Sequence, residues 1–262
     1  MVIQGKKLDA GYKEALVVRQ LDITVHPGEI MTIVGPNGSG KSTVLKTLTR
    51  LLPCCGGEVL YDARRLDEIP KRLLAQNIAV LSQQHYAPPD FSAEELVAFG
   101  RVPYQKWHEG LSAKDREVIR CVMEQTGVWH MRKKKLAACS GGEAQRVWIA
   151  MVLAQEPEIL FLDEPTTYLD ISYQLDLLRM IDMLNKKTGL GVVMVLHDLA
   201  QALAVSHRIV VIKEGKKYAE GSPEEVITEK MMREVYHVEC EILRLPKKKP
   251  ILLYKDLLET EA

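Results

Sequence analysis

Gly35-Pro36-Asn37-Gly38-Ser39-Gly40-Lys41-Ser42-Thr43 decides the reading of this chain. The run fits G-x-x-x-x-G-K-[ST], the pattern of a phosphate-binding loop. Ile30 to Val34, just before it, is an unbroken apolar stretch of strand length. Val44, Leu45, Leu48, Leu51 and Leu52, just after it, recur at helical spacing. Strand, loop, helix is the context the pattern requires. Glycines let the backbone wrap a phosphate without Cβ clashes. Successive amides and a helix N-terminus then face the anion. Lys41 is placed to reach the β- and γ-phosphates, and Ser42 to ligate Mg²⁺.

Three further stretches suit the same chemistry. Ile159-Leu160-Phe161-Leu162-Asp163-Glu164 is an apolar run that ends in two carboxylates, the texture of a buried parallel strand. Ligands bind beyond the carboxyl ends of such strands. Asp163 is therefore expected near Mg²⁺, and Glu164 beside an attacking water. In Cys139-Ser140-Gly141-Gly142-Glu143, Ser140 stands where a helix N-cap would, which makes a second anion-binding N-terminus. One nucleotide does not easily need two such sites from one chain. A second copy could bring this one to the γ-phosphate across an interface. His197 follows the expected strand Val192 to Leu196 and suits a γ-phosphate contact. The other six histidines (His26, His85, His108, His130, His207, His237) have no comparable context.

The flanking pattern predicts alternating strands and helices. Val2 to Leu8 reads as a strand turning at Asp9-Ala10-Gly11, followed by strands Ala15 to Arg19 and Leu21 to Val25 and a turn at Pro27-Gly28. Glu58 to Tyr61 and Ile78 to Leu81 read as strands, with Pro70 to Gln76 helical. Between 85 and 139 strand signals vanish. Ser92 with Glu95 and Ser112 with Asp115 form capping-box signatures there, which predicts a helical insertion. Helices follow over Glu143 to Gln155, Ile171 to Lys187 and Leu199 to Val205. Arg208 to Lys213 reads as a strand, Glu214-Gly215 as a hairpin turn and Ser222-Pro223-Glu224-Glu225 as a helix start. Lys247-Lys248-Lys249-Pro250 reads as a solvated loop. The fold class is α/β, a mostly parallel sheet covered on both faces. The expected organisation is one domain: a core from 1–84 and 140–240, a helical subdomain at 85–139 and an extension at 241–262.

The 262 residues lie near the upper limit for one core. Thirty-five basic and 35 acidic residues cancel, which argues against a broad nucleic-acid surface. No run of about 18 apolar residues is present to span a bilayer, and Met1-Val2-Ile3-Gln4-Gly5 lacks signal-peptide regions. A cytoplasmic location is expected. Five cysteines, Cys54, Cys55, Cys121, Cys139 and Cys240, lack paired C-x-x-C spacing, so free thiols are expected.

Together these stretches resemble the ATP-binding cassette ATPases over nearly the whole chain. Gly35 to Thr43 resembles Walker A, and Ile159 to Asp163 Walker B, followed by the catalytic glutamate Glu164. Ser140-Gly141-Gly142-Glu143 resembles the signature motif, Tyr168-Leu169-Asp170 the D-loop and His197 the switch histidine. Gln83, or less well Gln84, fits the Q-loop glutamine. Tyr12 fits the aromatic that stacks on adenine, and Val18 a neighbouring apolar contact. Cys139 and Glu143 depart from the usual Leu and Gln, and Glu143 would add negative charge near the phosphates. The resemblance implies a P-loop, RecA-like cassette with an N-terminal antiparallel subdomain, using ATP and Mg²⁺. It implies catalytic roles for Glu164, His197 and Lys41. Nucleotide contacts would come from Tyr12, Val18, Gly35 to Thr43, Gln83, Ser140 to Glu143 and Asp170, and metal contacts from Ser42, Gln83 and Asp163.

The implied partners are a second copy in an ATP-sandwich dimer, membrane permease subunits and, indirectly, a substrate-binding protein, without nucleic acid. The chain would sit peripherally on the inner face of the membrane. Phe99-Gly100-Arg101-Val102-Pro103-Tyr104, Gln145 to Ala150 and Thr166 to Ile171 are similar to importer ATPases for iron-siderophores, haem and cobalamin. Zinc and manganese importers are the alternative within transport. Soluble cassettes of translation or repair are the alternative outside it, although they usually carry two cassettes or a long coiled coil. The signature at 140–143 disfavours an unrelated phosphate-loop kinase.

Overall fold

The longest apolar runs fix the architecture. Ile30–Val34, Ile159–Asp163 and Gly191–Val195 are buried at every position, as strands covered on both faces must be. The computed structural model describes residues 2–13, 15–106, 110–244 and 250–258. The chain divides into two compact units, Met1–Asp67 with Val193–Ala262, and Glu68–Val192.

The first unit opens with β1 (Ile3–Tyr12), β2 (Ala15–Val25), β3 (Ile30–Val34), α1 (Lys41–Leu48), β4 (Gly56–Tyr61) and β5 (Arg64–Arg65). β2, β1, β4 and β5 form a four-stranded antiparallel sheet in that order. The second unit carries α2 (Lys71–Asn77), β6 (Ile78–Leu81), α3 (Ala93–Ala98), α4 (Ala113–Gln125), α5 (Gly141–Leu153), β7 (Ile159–Asp163) and α6 (Ile171–Thr188). β6 and β7 pair in parallel, Ile78 with Ile159 through Leu81 with Leu162. α5 turns Val147, Ile149, Ala150, Val152 and Leu153 inward, and α6 turns in Leu177, Leu178, Met180, Ile181 and Leu184, each an apolar stripe at helical spacing. Between 85 and 139 the regular elements described are helical, apart from an isolated bridge between Ser92 and Lys135. Both expected capping boxes are formed, at Ser92 with Glu95 and at Ser112 with Asp115.

β8 (Gly191–Val195) returns the chain to the first unit, followed by α7 (Leu199–Val205), β9 (Arg208–Lys213) and β10 (Lys216–Gly221). The strand order there is β10-β9-β3-β8. β3 runs parallel to β9, and β10 closes a hairpin on β9 through Glu214 and Gly215, both left-handed. Short helical turns lead to β11 (Val238–Leu243) and β12 (Ile251–Leu257), an antiparallel pair.

Four expectations need correction. No turn breaks the chain at Asp9-Ala10-Gly11; β1 runs through it, with register shifts between Gly5 and Leu8, Leu8 and Ala10, and Ala10 and Gly11. The two strands expected at 15–25 are likewise one. The Asp9 carboxylate explains both, because it accepts the Gln20 backbone N–H and side-chain amide at 2.9 Å each and satisfies the bulge. Helix α1 stops at Leu48 rather than continuing to Leu52. Arg50 turns left-handed at φ 59°, and the N–H groups of Leu51 and Leu52 both bond the Lys46 carbonyl. The β11–β12 pair was not expected at all. Lys247-Lys248-Lys249 and His108 lie outside the described residues.

Candidate functional site

In the first unit the phosphate loop joins β3 to α1. Gly35 has φ 152°, and a Cβ there would lie 2.1 Å from the Ile212 carbonyl oxygen on β9, so no other residue fits without moving the sheet. Gly38 and Gly40 have φ 76° and 104°. Asn37 and Gly38 are exposed at the apex, while Ser39, Lys41 and Thr43 are buried and Ser42 and Pro36 half-buried. The Ser39 amide bonds the Pro36 carbonyl, and the Gly215 amide bonds the Ser39 carbonyl at 3.0 Å. The hairpin turn between β9 and β10 thus braces the loop from behind. Lys41 Nζ donates to the carbonyls of Gly35 and Pro36 at 2.9 Å each. A cation held over the loop with an open helix N-terminus is a site for an anion.

His197 belongs to the same unit and is exposed. The amide of Leu196 bonds the Ile33 carbonyl, so His197 and Gly35 leave neighbouring strand ends. Asp198 caps α7, accepting from Ala200 N at 2.7 Å and Gln201 N at 3.3 Å, which fixes the backbone beside His197. Tyr12 is 46% exposed at the end of β1, ready to present a ring face. Val18 is only 1% exposed, so it is core and not a surface contact. Its neighbour Val17 is half-buried and, with Val18, flanks Gly40. Alternation along β2 gives the two valines different exposure, and Val17 is the more open of the pair. His207 accepts the Ile30 N–H through Nδ1 at 3.0 Å.

In the second unit, parallel register does the positioning. Leu81 pairs with Leu162, so Gln83 and Glu164, each two residues on, leave the sheet side by side. Gln83 Nε2 donates to Glu164 Oε2 at 2.5 Å, and Thr167 Oγ1 donates to the same oxygen at 3.3 Å. Gln84 makes no such bond to Glu164, so Gln83 is the residue in place. Glu164 is left-handed at φ 54°, a sparsely populated conformation that concentrates at functional sites. Asp163, 4% exposed, ends the apolar strand. Among the described residues no cluster of three metal-ligating side chains is preformed. A carboxylate such as that of Asp163 is a hard oxygen ligand of the kind Mg²⁺ takes.

The signature segment starts α5. Ser140 is its N-cap and accepts the Glu143 N–H through Oγ at 3.2 Å, while Glu143 Oε2 accepts the Ser140 N–H at 2.8 Å. A Cβ on Gly142 would lie 2.3 Å from the Tyr173 ring. Lys134 Nζ donates to Glu143 Oε2 at 2.7 Å, and this ion pair first, then the Ser140 amide, holds the Glu143 carboxyl below the ordinary range. The negative charge that Glu143 brings is thus offset within the fold by Lys134. Asp170 is the N-cap residue of α6 but makes no side-chain cap bond, and Tyr168 is 95% exposed beside it. Gln174 Nε2 holds this loop through the carbonyls of Thr166 and Leu169, at 3.2 and 2.9 Å.

Lys134 and Gln174 escaped the sequence reading, since nothing in their spacing marks a partner. Arg101 was quoted only as part of a segment. It is 1% exposed, donates to Asp115 at 2.8 Å, to the Ala154 carbonyl at 2.7 Å and to Glu156 at 2.7 Å, and lies 3.9 Å over the Tyr104 ring. All five cysteines are free thiols, as expected.

Comparison with known proteins agrees with this geometry. Residues 18–167 match the family model described as ABC transporter. The chain is 39% identical to the iron(3+)-hydroxamate import ATP-binding protein FhuC of Bacillus subtilis, over 99% of this chain and 97% of that one. It is 39% identical to the ferric enterobactin transport ATP-binding protein FepC of Escherichia coli, over 93% of this chain and 90% of that one. Among solved structures, cbiO1 of Clostridium perfringens superposes with TM-score 0.76 at 28% identity, covering 87% of this chain and 91% of that one. The ATP-binding cassette MJ0796, solved as a dimer with ADP and Pi, does so with TM-score 0.73 at 27% identity, covering 84% and 98%. With a matching phosphate loop, signature and paired glutamine and glutamate, the chain belongs to the ABC transporter family as an ATP-binding, ATP-hydrolysing cassette.

Proposed function

We propose that this chain powers the uptake of an iron-siderophore or similar metal chelate through a membrane permease. Full-length similarity carries the reading: 39% identity over 99% of the chain to a protein named for iron(3+)-hydroxamate import, and comparable identity to enterobactin and petrobactin relatives. No helix among the described residues is long and apolar enough to cross a membrane, so the chain would bind peripherally, to permease subunits that span it. Tyr86, Phe99 and Val102, 85%, 51% and 55% exposed, offer apolar ground for that contact close to Gln83 in sequence.

In this reading two copies enclose two nucleotides. Tyr12 and Val17 meet the base and sugar; the amides of 38–43 and Lys41 hold the phosphates. Ser42, Asp163 and Gln83 would hold Mg²⁺, which when bound neutralises phosphate charge. Glu164 accepts a proton from the attacking water or orients it, His197 contacts the γ-phosphate, and Ser140 of a second copy donates to it. Gln83, bonded to Glu164, is placed to report the state of the nucleotide to the permease.

The test is uptake by the host organism with and without the gene, using radiolabelled iron on a hydroxamate, a catecholate and haem, with labelled cobalamin and zinc in parallel. Selective loss of one iron chelate supports the reading. Loss of zinc uptake alone, or recovery of the tagged chain with soluble proteins and no permease, overturns it.

A further inference from the structure

Among the described residues, four serine-capped helix starts share one motif, and one of them differs from the rest. Ser92, Ser112 and Ser222 each pair with an acid three residues on. In each, the serine hydroxyl donates to that acid, at 2.6 Å to Glu95, 2.6 Å to Asp115 and 2.8 Å to Glu225. The fourth is Ser140 with Glu143 in the signature. There the carboxylate oxygen that accepts the Ser140 N–H also accepts Lys134 Nζ, at 2.8 and 2.7 Å, and no hydroxyl-to-carboxylate bond of the other three's kind is formed. The influences on the acids follow suit. The serine hydroxyl is the strongest cause of the lowered pKa at Glu95, Asp115 and Glu225. At Glu143 the strongest is Lys134 and the weakest is the Ser140 hydroxyl.

We infer that Lys134 is a positioning residue for the signature serine: by engaging Glu143, it leaves the Ser140 hydroxyl to donate to a γ-phosphate oxygen. This rests on the reading of Ser140 as a phosphate contact. Oγ already accepts the Glu143 N–H, so its lone proton has one choice, the carboxylate or a ligand. In the Ser112 box Arg101 bonds Asp115 Oδ1 and leaves Oδ2 to the serine, whereas Lys134 occupies the same Glu143 oxygen that faces Ser140. Without Lys134 that oxygen captures the hydroxyl proton, as in the other three boxes, and stands uncompensated beside the phosphates. Lys134 and Glu143 are about one-third exposed, so the pair itself contributes little to stability.

The experiment measures ATPase rate against ATP concentration, MgATP-driven dimerisation and thermal stability for the full chain and for Lys134→Ala, Lys134→Arg, Lys134→Ala/Glu143→Gln and Ser140→Ala. Loss of a charge-controlled hydrogen bond predicts that Lys134→Ala needs about tenfold more ATP for half-maximal dimerisation and turnover, with its melting temperature nearly unchanged. Lys134→Arg and the double variant, which removes the competing charge, recover most of this. Lys134→Ala behaving like wild type, or a loss that Glu143→Gln does not relieve, overturns the inference. Ser140→Ala separates the two layers: wild-type behaviour there overturns the phosphate-contact reading itself, whereas its failure beside a silent Lys134→Ala overturns only the role of Lys134.

Discussion

Gln83 Nε2 lies 2.5 Å from Glu164 Oε2, although 81 positions separate them in the chain. The parallel register of β6 on β7 puts them together, and Thr167 fixes the same oxygen. Both contacts fix the orientation of the Glu164 carboxylate.

Glu164→Gln is therefore expected to keep MgATP binding and lose turnover by about 10²- to 10⁴-fold, the usual worth of a positioned general base. The amide keeps the size and the Thr167 bond but takes no proton. Analytical ultracentrifugation should show an ATP-dependent dimer that persists. A turnover within tenfold of wild type would remove Glu164 from the chemistry.

Tyr12→Ala should weaken ATP binding by about 1–3 kcal/mol, the worth of a base–aromatic stack, with little change in stability because Tyr12 is half exposed. The valines split differently. Val17→Ala should weaken nucleotide binding, whereas Val18→Ala should cost about 2 kcal/mol of fold stability. Calorimetric titration beside denaturant unfolding separates the two. Equal effects of both valines on both readouts would contradict the placement.

The phosphate loop, both carboxylates, the serine caps and most helices were legible in the sequence because each rests on local chemistry. A glycine pattern, an N-cap or an apolar run of strand length carries its own physics. What failed was decided by distant partners. Gln20 bonding Asp9 turned two short strands and an apparent turn into long bulged strands. That Val18 is core while Val17 is half-buried depends on which face β2 shows the core. Lys134 is one of four consecutive cations from 132 to 135 and Arg101 stands alone in an apolar segment, and only folding shows that their partners are Glu143 and Asp115.

Gly35→Ala tests the bracing of the loop. The new methyl would meet the Ile212 carbonyl at 2.1 Å and Ser39 Oγ at 2.8 Å, and backbone cannot yield as a flexible side chain can. The loop must leave β9, and Lys41 loses the carbonyls it now bridges. ATP binding should fall below detection while far-ultraviolet circular dichroism still reports a folded chain. Gly38→Ala meets no neighbour within 4 Å and pays only for its positive φ, so it should bind ATP far better than Gly35→Ala. The reverse order would refute the bracing.

Arg101 and Asp115 should make stability depend on acid in a defined direction. Asp115 is held at about 2, below its ordinary 3.8, by the Ser112 hydroxyl first and the Arg101 guanidinium after it, against the opposing effect of burial. A folded-state pKa below the unfolded one stabilises the fold above the unfolded value and loses that contribution as pH falls through the folded one. The wild-type chain should therefore lose stability between pH about 4 and about 2 from this group. Arg101→Met strands a buried carboxylate and should cost about 3–5 kcal/mol near neutrality. It also raises the Asp115 pKa, so protonation relieves the mutant first and the gap to wild type narrows in acid. Arg101→Met/Asp115→Leu removes both charges and should regain part of the loss, since a buried pair is costlier to break than to replace. Urea unfolding at neutral pH and at pH about 3 checks this. A gap that stays constant between the two would mean that Arg101 acts through the Ala154 carbonyl, a partner that does not titrate, and not through Asp115.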